Sequence, residues 1–244
     1  QVVKIWEIAG YDIEPGMKST ELEKVLSNAA ADVIELPDKG TIIKHKTSQR
    51  LSDLMLPDDA AGTLRMICAY ARERYKVFSQ WGLDRKYPYG KGMAALFVGG
   101  PGTGKTMAAG CIANELGLLL YKVDLSQIVD KYIGETEKKL EQVFTYAQKS
   151  NVVLFFDEAD ALFGKRSEVK DSKDKYANTE VSYILQRIEQ YDGMVILASN
   201  FINNIDEAFM RRMKYVVEFQ MPDSSIRKEI WKAGFSKEIP VDDI

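Results

Sequence analysis

The chain has 244 residues, of which 45% are apolar and 28% charged, and its 33 basic and 36 acidic side chains give a net charge of −3. These fractions are typical of globular proteins and exclude fibrous and wholly disordered chains, while the charge balance argues against nucleic acid or an anionic membrane as a partner. One histidine excludes multi-His metal chemistry, two cysteines exclude a disulfide framework, and no apolar run reaches the roughly 18 residues of a membrane span.

Residues 1–48 differ from the rest of the chain and predict a small module made of a helix and a hairpin. A helical pattern starts at Ser19, and Asp38-Lys39-Gly40 predicts a turn into the apolar segment that follows. No motif in this module indicates chemistry. The chain opens on Gln1 instead of a methionine, so we expect a segment upstream of it to be missing.

From about residue 49 onward, short apolar runs alternate with amphipathic helical patterns. We predict helices at 58–80, 136–149 and 179–190, and buried strands at 93–98, 118–123, 152–156, 194–198 and 215–219. Continuous apolar strands separated by helices are typical of a parallel sheet covered on both faces. The sequence therefore predicts an α/β fold with a five-stranded parallel sheet, whose ligands bind at the carboxyl ends of the strands.

A glycine-rich loop follows the first of these strands directly. It fits the pattern G-x-x-x-x-G-K-[ST], and its residues are Gly99, Gly100, Pro101, Gly102, Thr103, Gly104, Lys105 and Thr106. Glycines let backbone N–H groups surround a phosphate, and the helix that follows points its positive end at the anion. We expect Lys105 to reach the β- and γ-phosphates and the Thr106 hydroxyl to bind Mg²⁺. This strand context makes a chance glycine-rich turn a poor explanation.

A second motif, the apolar run 152–156 followed by Asp157 and Glu158, strengthens this interpretation. An aspartate at the strand tip can hold the water shell of Mg²⁺, and the adjacent glutamate can orient or deprotonate an attacking water. Taken alone, two acidic residues where a strand meets solvent would be unremarkable. Beside a phosphate loop about 50 residues upstream, they predict a P-loop fold that hydrolyses a nucleotide.

Together with three further segments, these motifs resemble the AAA+ ATPases, and in particular the protein-remodelling branch that includes katanin and spastin. The resemblance covers residues 50–240 and implies that Asn200 is the polar sensor residue beside the γ-phosphate. It also implies that Arg212, or its neighbour Arg211, is an arginine finger. A turn residue at a strand end and two solvated arginines are the plain alternatives.

The resemblance further implies a first pore loop that grips a polypeptide in a ring, made of Lys131, Tyr132 and Ile133. Residues 165–175 resemble a second pore loop, although a solvated charged loop explains them equally well. Residues 192–194 match the family's inter-subunit signal position. Residues 164–193 resemble most the bacterial ATPases encoded with phage-tail-like contractile injection particles.

These observations divide the chain into the N-terminal module (1–48), a nucleotide-binding domain (49–230) and the start of a largely absent helical lid (231–244). We expect an Mg²⁺-dependent ATPase that works as a homo-oligomeric ring, a hexamer by family resemblance, on a polypeptide substrate. Two thiols in apolar stretches, Cys68 and Cys111, indicate a reducing, cytoplasmic location. The alternatives are a nucleotide-gated scaffold with little turnover, a loader or helicase that acts on nucleic acid, and a P-loop kinase.

Overall fold

The computed structural model describes residues 42–87, 91–125, 135–160, 182–200, 205 and 207–235. The predicted pore residues 131–133, the charged segment 165–175 and most of the predicted N-terminal module lie outside these residues. The strands are β1 (Ile42–His45), β2 (Met93–Val98), β3 (Leu120–Asp124), β4 (Val153–Asp157), β5 (Met194–Ser199) and β6 (Tyr215–Glu218). The helices are α1 (Asp58–Tyr75), α2 (Lys105–Leu116), α3 (Glu135–Ser150), α4 (helical over 182–190), α5 (Glu207–Met210) and α6 (Ser224–Gly234).

One sheet contains all six strands, in the order β1-β3-β4-β5-β2-β6. The pairs β3–β4, β4–β5, β5–β2 and β2–β6 are parallel, so the predicted parallel sheet of five strands is confirmed. Because these strands share one direction, their carboxyl ends meet at a single edge of the sheet. The loop after β2, the end of β4 and the end of β5 therefore lie side by side.

Two hydrophobic clusters cover the two faces of the sheet. On one face, α3 and α4 pack against strand residues such as Leu154 and Leu197. On the other face, α1 and α2 pack against Phe97, Phe155 and Ile196, among others. Since consecutive strand residues point to opposite faces and both faces are covered, every residue of β5 is buried. This double covering explains why the strands are continuous apolar runs in the sequence.

The sixth strand, β1, was not predicted as part of this sheet. Ile42–His45 pairs antiparallel with β3, so it extends the parallel sheet at one edge, although the sequence places it in the N-terminal module. Only Ile42 of the strand is buried, and Ile43 is 53% exposed. A four-residue edge strand with one buried side chain carries too little alternation to reveal its partner in the sequence.

The predicted helix 58–80 is confirmed, and it ends irregularly. α1 carries Asp58 and Asp59 in its first turn, where acidic side chains favour the positive end of the helix dipole. The helix continues as a π-helical turn over Lys76–Gln80. Near its end, the Arg74 guanidinium donates a hydrogen bond to the carbonyl of Asp192, which ties α1 to the segment that leads into β5.

Candidate active site

The glycine-rich loop leaves β2 at Gly99, where the backbone of a neighbouring element leaves no room for a side chain. A Cβ at this position would lie 2.1 Å from the carbonyl oxygen of Phe219, just after β6, and the Gly99 φ angle is 155°. The Gly99 N–H donates to the Ser199 carbonyl at 3.2 Å. The start of the loop is thus fixed between β5 and β6, and only glycine fits there.

The loop then turns through two left-handed glycines, Gly102 (φ 76°) and Gly104 (φ 99°), before α2 begins at Lys105. The Thr103 hydroxyl donates to the Gly100 carbonyl at 2.8 Å, which closes the loop on itself. The first N–H groups of the 12-residue helix α2 have no partner within the helix and point out of its positive end. A loop of this shape at a helix N-terminus is suited to bind phosphate.

Lys105 is 7% exposed, and its ammonium group has three acceptors on the protein. Its Nζ donates to the carbonyl oxygens of Gly99 at 2.6 Å and Gly100 at 2.9 Å, and to Oδ1 of Asn200 at 3.0 Å. An ammonium group has three protons, so these bonds satisfy it completely. The structure therefore brings together Lys105 and Asn200, two residues 95 positions apart that the sequence assigned to one site.

Burial lowers the pKa of Lys105, and the nearby carboxylates of Asp157 and Asp160 oppose that shift. Desolvation disfavours the charged ammonium, whereas negative charge nearby favours it. A bound phosphate would add negative charge at the same place and would strengthen the charged form. Phosphate binding and protonation of Lys105 are for this reason expected to support each other.

At the end of β4, Asp157 is half-buried and Glu158 is exposed. The backbone N–H of Glu158 donates to Asp157 Oδ1 at 3.0 Å. Glu158 has a φ of 51°, a left-handed conformation that costs a non-glycine residue roughly 1–2 kcal/mol. Such strained positions concentrate at functional sites, and here the turn places two successive carboxylates at the carboxyl edge of the sheet.

Asn200 is held by Asp160, a residue that the sequence reading did not single out. The Asn200 backbone N–H lies 3.2 Å from each carboxylate oxygen of Asp160, and the Ser199 hydroxyl donates to the same carboxylate at 2.5 Å. Asp160 thereby fixes the end of β5 against the turn that follows β4. The spacing Asp157-Glu158-Ala159-Asp160 was the available signal, since a third carboxylate lies two residues after the acidic pair.

A cavity of about 580 Å³ adjoins the glycine-rich loop. It is lined by residues 52–57 ahead of α1, by 102–104 and Met107, by 220–223 after β6, and by side chains of α6 such as Ile226. The volume lies within the range of ligand pockets, roughly 300–1,000 Å³, and the lining is largely apolar. Apart from residues 102–104 of the glycine-rich loop, no sequence motif marks this lining, because apolar residues that line a cavity have the same composition as residues of the core.

The two predicted arginines, Arg211 and Arg212, lie where the parallel strands begin, at the opposite end of the strands from the glycine-rich loop. They follow α5 and precede β6, and the Lys214 N–H bonds to the Ala94 carbonyl near the start of β2. Both arginines are exposed, and Arg212 forms an ion pair with Glu189 of α4. The distance along β2 from Ala94 to the end of the strand is about 13 Å, at ~3.3 Å per residue. The glycine-rich loop lies beyond that end.

Among the described residues, no group of three or more His, Cys, Asp or Glu side chains could hold a metal ion by itself. Also within the described ranges, no helix is long and apolar enough to cross a membrane. The oxygen donors that the sequence assigned to magnesium are the Thr106 hydroxyl in the first turn of α2 and the Asp157 carboxylate at the end of β4. Both are hard oxygen ligands, which is the ligand type that Mg²⁺ prefers, usually together with substrate phosphates.

A parallel sheet with a phosphate loop after one strand and an acidic pair after another defines a P-loop nucleoside triphosphatase. A family model described as "ATPase family associated with various cellular activities (AAA)" matches residues 95–221. Because this match covers more than half of the chain, the protein belongs to the AAA family, whose members hydrolyse ATP.

Among curated proteins, the chain is 34% identical over 149 residues to the probable 26S proteasome regulatory subunit 10B of Caenorhabditis elegans, a match that covers 58% of this chain and 37% of that protein. It is 32% identical over 232 residues to fidgetin-like protein 1 of Xenopus laevis, with coverage of 91% and 33%. The chain thus spans little more than a third of the length of these two relatives. Among solved structures, the AAA domain of FIGL-1 in complex with ADP has a TM-score of 0.59 over 89% of this chain and 68% of that chain, at 24% identity, and so shows the same fold.

Proposed function

We propose that this protein hydrolyses ATP in a magnesium-dependent reaction and that it works in a ring that remodels a protein substrate. The observation that carries the proposal is the meeting of Lys105 with Asn200 at the same edge of the sheet as Asp157 and Glu158. That arrangement joins a group that binds phosphate to a group that can activate water. Phosphoryl transfer depends mainly on positioning and charge stabilisation, and both are provided there.

Each residue of the site has a distinct role in this proposal. The backbone of residues 99–104 and Lys105 bind the phosphates, and the adjoining cavity of about 580 Å³ holds the adenine base of the nucleotide. Glu158, exposed at its turn, takes the proton of the attacking water. Asn200 orients that water or the terminal phosphate, since Asp160 fixes its backbone.

Thr106 and Asp157 would hold the magnesium ion together with the phosphates. The described protein residues provide too few carboxylates for a metal site that forms without nucleotide. The bound ion would neutralise charge on the phosphates. The protein's own contribution is to fix the carboxylate of Asp157 at the strand end.

We place the arginine finger in a neighbouring subunit. Arg212, with Arg211 as the alternative, lies at the opposite edge of the sheet from the glycine-rich loop, so it is too far away to contact a phosphate bound to its own chain. A second copy in a ring could present this edge to the loop. The likeness to a 26S proteasome regulatory subunit supports an ATPase that works in an assembly, and a closed ring of six subunits is part of the proposal.

The substrate is proposed to be a polypeptide that contacts Lys131, Tyr132 and Ile133, and residues 165–175 would form the second pore loop. We also propose that the chain belongs to the injection-particle branch and that its domains divide at residues 48 and 230. The two cysteines are free and buried, which supports a reducing, cytoplasmic location. A scaffold that binds ATP without turnover is disfavoured by the presence of both Glu158 and Asn200.

Mass measurement of the full chain with a slowly hydrolysed ATP analogue tests this proposal. We expect a closed assembly with the analogue and smaller species without nucleotide. Steady ATP turnover in the same preparation separates an enzyme from a scaffold. Tyr132→Ala should keep that turnover and lose substrate remodelling, with Tyr87→Ala, an exposed tyrosine far along the chain, as the control. Assembly with no turnover would support the scaffold instead.

A further inference from the structure

Lys122 makes a contact at the proposed magnesium site that no sequence motif predicts. It lies on β3, opposite Phe155 of β4 and two residues before the register position of Asp157. Its Nζ donates to Asp157 Oδ2 at 2.7 Å. The side chains are 37% and 23% exposed, so the pair is partly accessible to solvent.

The other oxygen of the same carboxylate is also engaged. Asp157 Oδ1 accepts the backbone N–H of Glu158 at 3.0 Å. A carboxylate held at both oxygens has one orientation, because rotation about its side-chain bonds would break one bond or the other. A partly exposed ion pair contributes little to overall stability, so the consequence of this contact is local.

Lys122 also changes the charge that an incoming cation encounters. Asp157 carries a single negative charge, and the ammonium 2.7 Å away balances it. Lys105, whose Nζ bonds to the loop carbonyls and to Asn200, adds a second positive charge nearby. Both ammonium groups therefore repel a divalent cation that approaches Asp157, whereas a nucleotide brings several negative charges that offset this repulsion.

We propose that Lys122 is a positioning residue for Asp157, which holds the carboxylate in place and repels a divalent cation with its charge, so that the cation binds more tightly with nucleotide than without it. This inference rests on the magnesium site assigned under the proposed function. An ordinary cross-strand ion pair would instead leave metal binding unchanged when it is removed.

Electron paramagnetic resonance can measure how tightly Mn²⁺, a spectroscopic probe for Mg²⁺, binds to the full chain. The measurement without nucleotide tests the inference. Lys122→Met keeps the length of the side chain and removes its charge. We expect it to bind Mn²⁺ alone about five- to tenfold more tightly than the parent, since one repulsive charge next to a divalent ion is gone. Lys122→Arg should match the parent, because it keeps the charge.

Lys149→Met is the control for loss of a positive charge. Lys149 is exposed near the end of α3, just before β4 starts, so it lies at the opposite end of β4 from Asp157. It should leave Mn²⁺ affinity unchanged. Lys122→Gln replaces the methionine variant if that chain does not melt cooperatively. The decisive quantity is the ratio of Mn²⁺ affinities with and without a slowly hydrolysed ATP analogue, which should fall in Lys122→Met.

Two failures can be told apart with Asp157→Asn, measured in the presence of the analogue. If this variant binds Mn²⁺ as tightly as the parent, the metal site is wrongly assigned and the inference about Lys122 falls with it. If Asp157→Asn weakens Mn²⁺ binding but Lys122→Met gains no affinity without nucleotide, only the role of Lys122 is overturned.

Discussion

At the scale of single residues, a few side chains at the carboxyl ends of the parallel strands form the proposed site. Glu158 and Asn200 come from β4 and β5, which are adjacent and parallel, and Lys105 begins the helix that follows β2. Asp160 fixes Asn200 through the backbone, and Asn200 in turn bonds to Lys105. Asp160, Asn200 and Lys105 thus form a connected set of hydrogen bonds.

Glu158→Gln should bind ATP like the parent and hydrolyse it about 10²–10⁴ times more slowly, because it keeps the shape of the side chain and removes the base. Filter binding and phosphate release measure the two properties separately. Glu141→Gln is a suitable control, since Glu141 is an exposed glutamate on α3, bonded to Arg187 of α4. Parent-like turnover in Glu158→Gln would assign the base to another residue.

At the scale of elements, the start of the glycine-rich loop is limited by packing and its middle by backbone conformation. Gly99→Ala would push a methyl group into the Phe219 carbonyl, and we expect a loss of unfolding free energy of about 2–3 kcal/mol. Gly102→Ala meets no atom within 4 Å and has only its left-handed φ to overcome, at about 1 kcal/mol. Chemical denaturation without nucleotide compares the two variants. Equal losses would show that the loop start relaxes freely.

Helices α1 and α2 bury Cys68 and Cys111, and burial raises the pKa of each thiol from 9.0 to about 11. Between these values, the unfolded chain loses protons that the folded chain keeps, so the unfolding free energy falls as pH rises. From pH 8 to pH 10 the loss should be about 1 kcal/mol per thiol, as measured by denaturant titration. The double variant Cys68→Ala/Cys111→Ala should show a correspondingly smaller loss, and an identical pH dependence would contradict the assignment.

How much of this could be predicted from the sequence depends on the kind of signal each element carries. The five parallel strands were predictable because burial on both faces makes each one a continuous apolar run. The phosphate loop was predictable because its glycines directly follow a strand. The pairing of β1 with β3 was not predictable, since only Ile42 of the four β1 residues is buried. Lys122 and Asp160 act through contacts between separate elements, and such pairings appear only once the order and register of the strands are known.

At the scale of the whole molecule, the sheet separates the two halves of the proposed catalytic apparatus. The phosphate loop, Glu158 and Asn200 are at its carboxyl edge, while Arg211 and Arg212 are at its amino edge. Since a strand of six residues is about 20 Å long, one chain cannot bring both halves to one phosphate. Under the proposed mechanism, activity therefore requires two chains, and a positive charge from the second chain would be worth about 10³–10⁵ in rate.

Mixing two inactive variants of the full chain, Arg212→Ala and Glu158→Gln, tests whether the site is shared between subunits. In a mixture shown by mass measurement to co-assemble, the first chain provides an intact base and the second an intact arginine, so ATP turnover should reappear. Glu189→Ala, which removes only the ion partner of Arg212, should hydrolyse ATP normally by itself. If Arg211→Ala is defective in place of Arg212→Ala, the finger moves by one residue. Co-assembly of the two variants with no recovery of turnover would contradict a site shared between subunits.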